Sequence, residues 1–84
     1  MNVSKDADYF LDITEEVCPF TFVRTKLLLE RMDSGQVVEI RLKGAEPLEN
    51  VPRTVQDHGH VVIRMVPEDE NDALGPHRLF VRKA

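Results

Sequence analysis

Four short stretches of alternating apolar residues divide this chain, and what lies between them leaves few architectures open. "YFLDI" (9–13), "QVVEIRL" (36–42), "HVVIRMV" (60–66) and "RLFVRK" (78–83) each read as a strand. In the second, Val38, Ile40 and Leu42 face one way while Glu39 and Arg41 face the other; in the third, Val61, Ile63 and Met65 are expected to share a face. The first gap has helical periodicity and runs to "DSG", where Gly35 is suited to end a helix in the left-handed conformation. The second gap opens with Gly44 and Pro47, which mark a loop. It then offers Asn50 as a cap, Pro52 in a first helical turn and Gly59 as a stop, predicting a short helix. The third gap, "PEDENDALGPH", is too polar for a core and reads as a long turn. The order is therefore β-α-β-α-β-β. It implies an α/β (α+β) two-layer sandwich, a four-stranded mixed sheet with both helices on one face. Eighty-four residues suffice for one domain, 1–84, in which the polar residues 1–8 are expected to fray.

"TEEVCPFTFVRTK" (14–26) carries the only cysteine, directly before a proline. With Cys18 as N-cap, Pro19 takes the first helical position, which proline prefers, and Val17 and Phe22 occupy the two positions of a hydrophobic staple. At about 100° per residue, Thr21, Phe22, Thr25, Leu28, Leu29 and Met32 then fall on one arc wide enough to lie on the sheet. Phe20, Val23 and Leu27 form a second apolar stripe on nearly the opposite side. A two-layer domain has one sheet for this helix to cover. The stripe is thus exposed, covered by the N-terminal tail, or a surface for a partner or a second copy.

A thiol at a helix start meets unpaired backbone N–H groups and the positive end of the helix dipole, and both favour the reactive thiolate. Glu15 and Glu16 oppose that anion, at roughly 0.5 kcal/mol for a carboxylate about 8 Å away in water. The helix terminus offers roughly 0.3–1 kcal/mol in the other direction. The two nearly cancel, and Arg24, Lys26 and Arg53 are the cations that would tip the balance if folding brings them close. On the residues alone, a buried structural cysteine stays as open as a reactive one. A cysteine hydrolase would need a positioned base, and nothing orients His58, His60 or His77 toward Cys18. "HGH" with one cysteine is a weak metal signal, so no metal is expected.

Composition narrows the partners. Eleven Lys+Arg against fifteen Asp+Glu give a net charge of −4, which argues against direct nucleic-acid binding. "MNVSKDADYF" lacks the apolar run of a signal peptide and no stretch approaches membrane-spanning length, so a cytoplasmic protein without a membrane partner is expected. A single cysteine forms no internal disulfide and persists as a thiol there.

Together these residues resemble the TusA/SirA-like sulfur carriers, the sulfurtransferase TusA family. The resemblance runs from Leu11 and Asp12 through Cys18-Pro19, "DSGQVVEIRL" and "NVPRTVQDHGHVV" to the terminal "RLFVRK". It implies a β-α-β-α-β-β domain whose catalytic residue is Cys18, a persulfide carrier. Pro19 and Thr21 would support the helix start. The expected donor is a cysteine desulfurase or other sulfurtransferase, and the expected recipient a downstream sulfur-acceptor protein. No cofactor is implied, and the expected state is a monomer or weak dimer. In the family the sulfur serves tRNA thiolation, cofactor biosynthesis or sulfur oxidation. This chain departs from the family pattern at Thr21, where Cys-Pro-x-Pro has its second proline. It departs again at Thr14, Glu15 and Glu16 in place of Arg-Gly-Leu, and at Asn50 in place of an aspartate. The alternative reading is a non-catalytic regulatory or protein/RNA interaction module on the same fold.

Overall fold

The computed structural model describes residues 7–16 and 20–84. Its elements are β1 (Tyr9–Asp12), α1 (Phe20–Arg31), β2 (Val37–Leu42), α2 (Ala45–Asp57), β3 (Val61–Pro67) and β4 (His77–Arg82). They form one four-stranded mixed sheet in the order β1-β2-β4-β3. β1 and β2 are parallel; the β2–β4 and β3–β4 pairs are antiparallel. Leu29 of α1, Met32 just after it, and Val51 and Val55 of α2 meet Val38, Ile40, Leu42, Leu79 and Val81 in a single core with Ile13. Both helices therefore cover the same face, as the order of elements predicts.

Strand alternation explains this directly. Val38, Ile40 and Leu42 stand opposite Val81, Leu79 and His77 on the helix-covered side. Glu39, Arg41, Arg78 and Phe80 take the open side. Charges there are tied together: Arg78 bridges Glu39 and Glu68, and Arg41 bridges Glu68 (2.8 Å) and Asp12 (3.3 Å). The arginine of Arg64 stacks over the Phe80 ring at 4.2 Å. Ahead of β1, Ala7 is buried and the Asp8 N–H donates to Val37 O (2.7 Å).

Three elements differ from the sequence reading. The first helix stops at Arg31, before Gly35, which instead occupies a tight turn at φ 89°. The Gln36 N–H closes that turn on Asp33 O (3.1 Å). Where the helix ends, the carbonyls of Leu29 and Met32 accept from the ammonium of Lys83, brought in from the far end of the chain. The second helix begins at Ala45, with Gly44 as N-cap at φ 98°. Asn50 is therefore not a cap, and Pro52 lies inside the helix. Pro47 falls in the first turn, where no N–H is required. An interior proline costs roughly 3 kcal/mol. Burying Val51 and Val55 completely returns roughly 1.5–3 kcal/mol each, so packing overrides local propensity.

In β3 the register shifts between Val62 and Arg64. This bulge divides the expected face. Val61 stands opposite Arg82 on the open side, and Met65 opposite Leu79 on the helix side.

Candidate functional site

Because β1 and β2 are parallel, both release their chains at the same edge of the sheet, and both helices start there. Asp12 shapes the exit from β1: its Oδ1 accepts the Thr14 N–H (2.9 Å) and hydroxyl (2.6 Å). Burial alone would raise the Asp12 pKa. The Thr14 bonds and the Arg41 guanidinium outweigh it and hold the carboxyl below its ordinary value. The Glu16 N–H then closes a turn on Ile13 O (3.1 Å). Thr14 and Glu16 line one groove with Lys43, Gly44, Ala45, Glu46 and Pro47, so the run-out of β1 lies against the start of α2. The Gly44 N–H donates to Leu74 O (2.9 Å), which brings the β3–β4 loop to this edge as well.

Val17, Cys18 and Pro19 lie outside the described residues, and with them the Cys18 N-cap, the Pro19 first turn and the Val17–Phe22 staple. Thr21 is buried, and its carbonyl accepts the Thr25 hydroxyl (2.9 Å). Thr21 also lines a groove with Phe22, Pro47, Asn50, Arg53 and Thr54, so the helix start and Arg53 come together between α1 and α2. Arg53 donates to Asn50 Oδ1 (2.9 Å). Arg24 pairs with Glu16 at 2.8 Å, so one of the two acids ahead of Cys18 has its own counter-charge. That exposed pair contributes about 0–1 kcal/mol to stability. Lys26 pairs with Glu30 at 2.8 Å and faces His58 and His60 across the α1–α2 crevice. Arg24 instead faces the groove with Phe10 and Leu11, on the opposite side of α1. Arg24, Lys26 and Arg53 thus do not converge, and each holds a partner of its own.

The second stripe of α1 is exposed: Phe20 is 55%, Val23 41% and Leu27 54% accessible. Leu27 continues into a groove lined by Phe10, Leu11, Arg24, Leu28 and Arg31. The stripe starts at the helix end nearest Cys18 in sequence and runs away from it.

Two features of this edge escape sequence reasoning. Gly44, at the mouth of α2, reads as a loop residue because its role depends on the Leu74 contact, thirty residues on. The Glu16–Arg24 pair spans eight residues, and only the turn at Thr14 makes that spacing a contact. The Asp12-x-Thr14 spacing is a local signal that would have located the turn. Among the described residues no group of His, Cys, Asp or Glu is arranged to hold a metal, and no helix is long and apolar enough to cross a membrane.

The profile of the family described as Sulfurtransferase TusA matches residues 9–83. A relative from Archaeoglobus fulgidus, named provisionally as a sulfur carrier protein, is 40% identical over 67 residues, 80% of this chain and 76% of its own length. A relative from Thermotoga maritima with the same provisional name is 36% identical over 55 residues, covering 66% and 70%. The crystal structure of a SirA-like protein from Desulfitobacterium hafniense superposes with a TM-score of 0.73, covering 88% of this chain and 95% of that one. At 19% identity this last likeness shows a shared fold. From β1 to the last strand, the chain belongs to the sulfurtransferase TusA family.

Proposed function

We propose that this protein carries sulfane sulfur as a persulfide on Cys18 and relays it from a donor protein to an acceptor. The family match across 9–83, with Cys18-Pro19 directly ahead of α1, carries the reading. In the loading step the Cys18 thiolate attacks the terminal sulfur of a donor persulfide. The new bond joins Cys18 to that sulfur, the donor's S–S bond breaks, and the donor leaves as a thiolate. The sulfane sulfur moves with its proton, no oxidant is needed, and the reverse geometry delivers it onward. The donor is a cysteine desulfurase or other sulfurtransferase, and the relay operates in the cytoplasm.

The surroundings support such a reaction. Helix starts favour anions, and the Arg24–Glu16 pair reduces the opposing charge ahead of Cys18. Arg53 and Thr21 border the same groove. Phe20, Val23 and Leu27 supply an apolar surface beside the thiol in sequence, suited to brief docking of two proteins in turn.

Incubation with a cysteine desulfurase and cysteine, followed by intact mass, tests the proposal. The expected result is a gain of one sulfur atom that is discharged by a reductant and absent in Cys18→Ser. Failure to load from several donors that charge a known carrier would leave the fold acting as an interaction module instead.

A further inference from the structure

β3 is an edge strand, and among the described residues no strand pairs with its outer side. Four of its apolar side chains are well exposed: Val61 (41%), Ile63 (43%), Met65 (37%) and Val66 (41%). An open edge with apolar side chains is a template for another strand, and natural proteins usually guard it with charge. Here the bulge, Arg64 and Pro67 are the guards. We propose that β3 pairs antiparallel with β3 of a second copy, Val62 opposite Met65, across a twofold axis between Ile63 and Arg64.

Backbone directions support that register. The Ile13 N–H donates to Arg41 O (2.9 Å), so Arg41 turns its backbone toward β1. By alternation Ile40 turns toward β4, its partner Leu79 turns toward β2, and Arg78 and Phe80 turn toward β3. The Glu68 N–H donating to Pro76 O (3.0 Å) fits the same phase. Arg64 and Val66, opposite Phe80 and Arg78, therefore spend their backbone groups inward, as does Val61 opposite Arg82. Val62 and Met65 present theirs outward. Placed opposite each other across the axis, they exchange both backbone bonds in each of two symmetric pairs.

Side chains agree with the same register and with no neighbouring one. Val62 and Met65 stand opposite Val81 and Leu79, on the helix-covered side. Val61 and Val66 stand opposite Arg82 and Arg78, on the open side. Pairing Val62 with Met65 also sets Val61 against Val66, so these four meet apolar residues on their own faces, while Ile63 at the bulge falls opposite Arg64 of the second copy. A slip of one residue would set Val62 against Arg64 or Val66, on the opposite face. Pro67 has no N–H to offer and ends the ladder. The short ladder and the charge of −4 on each copy make this a weak dimer, and one that salt strengthens. The twofold axis sends the two helix-start edges to opposite ends, so both remain open to other partners.

Sedimentation and amide chemical shifts from about 10 μM to about 1 mM test this. Expected are a concentration-dependent dimer, shifts centred on Val62 and Met65, and tighter association in salt. Met65→Pro, which removes one outward N–H, should weaken it at least tenfold. Met65→Arg, which leaves the backbone intact, should do the same if the proline variant folds poorly. A monomer throughout the range overturns the proposal. So does a dimer that survives Met65→Arg or shifts the Phe20–Leu27 stripe instead.

Discussion

Lys83 and His60 show how single residues at one end of the molecule hold distant elements. Lys83 sends its ammonium to Leu29 O in the last turn of α1 and to Met32 O just past it. Hydrogen bonds from charged donors are worth about 1.5–3 kcal/mol, and a cation at a helix C-terminus adds about 0.3–1. Lys83→Met should therefore lower unfolding stability by about 1–3 kcal/mol in a denaturant titration, with Lys83→Arg recovering part of it. His60 Nδ1 accepts the Ala84 N–H (3.1 Å), a role that only the unprotonated nitrogen can play. Burial, then Lys83, then His58 hold its pKa below the ordinary 6.5. With the folded value depressed, the neutral ring stabilises the fold fully above pH 6.5, and this is lost as pH falls through the folded value. The pH dependence of stability just below 6.5 should flatten in His60→Gln. An unchanged slope in that variant would assign the effect to other groups. Glu68 works in the lower range: bonds from Arg41 and Arg78 draw its pKa to about 2. Its contribution is complete above about 4.5, the unfolded value, and disappears as pH falls toward 2.

At the scale of elements, α2 separates local signals from packing. If Asn50 were an N-cap, alanine there would cost about 1 kcal/mol. It lies mid-helix, where its side-chain oxygen accepts from Arg53, so Asn50→Ala should change stability by no more than about 0.5 kcal/mol. Pro52→Ala should raise the denaturation midpoint, by about 1–3 kcal/mol of stability, since it restores an N–H and removes a ring from the helix interior. A loss instead would show that the proline's shape is part of the α1–α2 packing. These outcomes explain which parts of the fold were legible in the sequence. The inner face of α1 was, because Thr21, Thr25, Leu29 and Met32 are buried at the spacing their order dictates. The four strands were, because alternation is a local property. The start of α2 was not, because Gly44 and Pro47 carry loop chemistry and become a helix entrance only when Val51 and Val55 reach the sheet. The bulge in β3 has no local mark either: Ile63 is one more apolar residue in an apolar run, and only pairing with β4 selects it. For the candidate site, the outer stripe of α1 was visible as periodicity. The Glu16–Arg24 pair and the shared groove of Thr21 and Arg53 required the tertiary fold.

Among the described residues of the whole molecule, Phe10 and Leu74 are exposed singly, and the longer runs of exposed apolar side chains are the outer stripe of α1 and the β3 edge. They lie on different layers, so a second copy at β3 and a sulfur donor at α1 do not compete. This division makes the proposed docking role separable from folding. Phe20 and Leu27 are each more than half exposed, so replacing both with serine removes little buried area. The double variant Phe20→Ser, Leu27→Ser should keep the parent's circular dichroism spectrum, with a melting temperature within about 4 °C. Its rate of sulfur loading from a desulfurase at low donor concentration should fall at least tenfold, equivalent to about 1.4 kcal/mol of lost docking energy. A small persulfide donor needs no protein docking and should load the variant and the parent at equal rates. That pair of measurements distinguishes a lost docking surface from a damaged thiol. Equal loss with both donors would place the effect at Cys18 itself, and equal loading from the desulfurase would move the docking surface elsewhere. Unfolding of the variant would assign the stripe to the core.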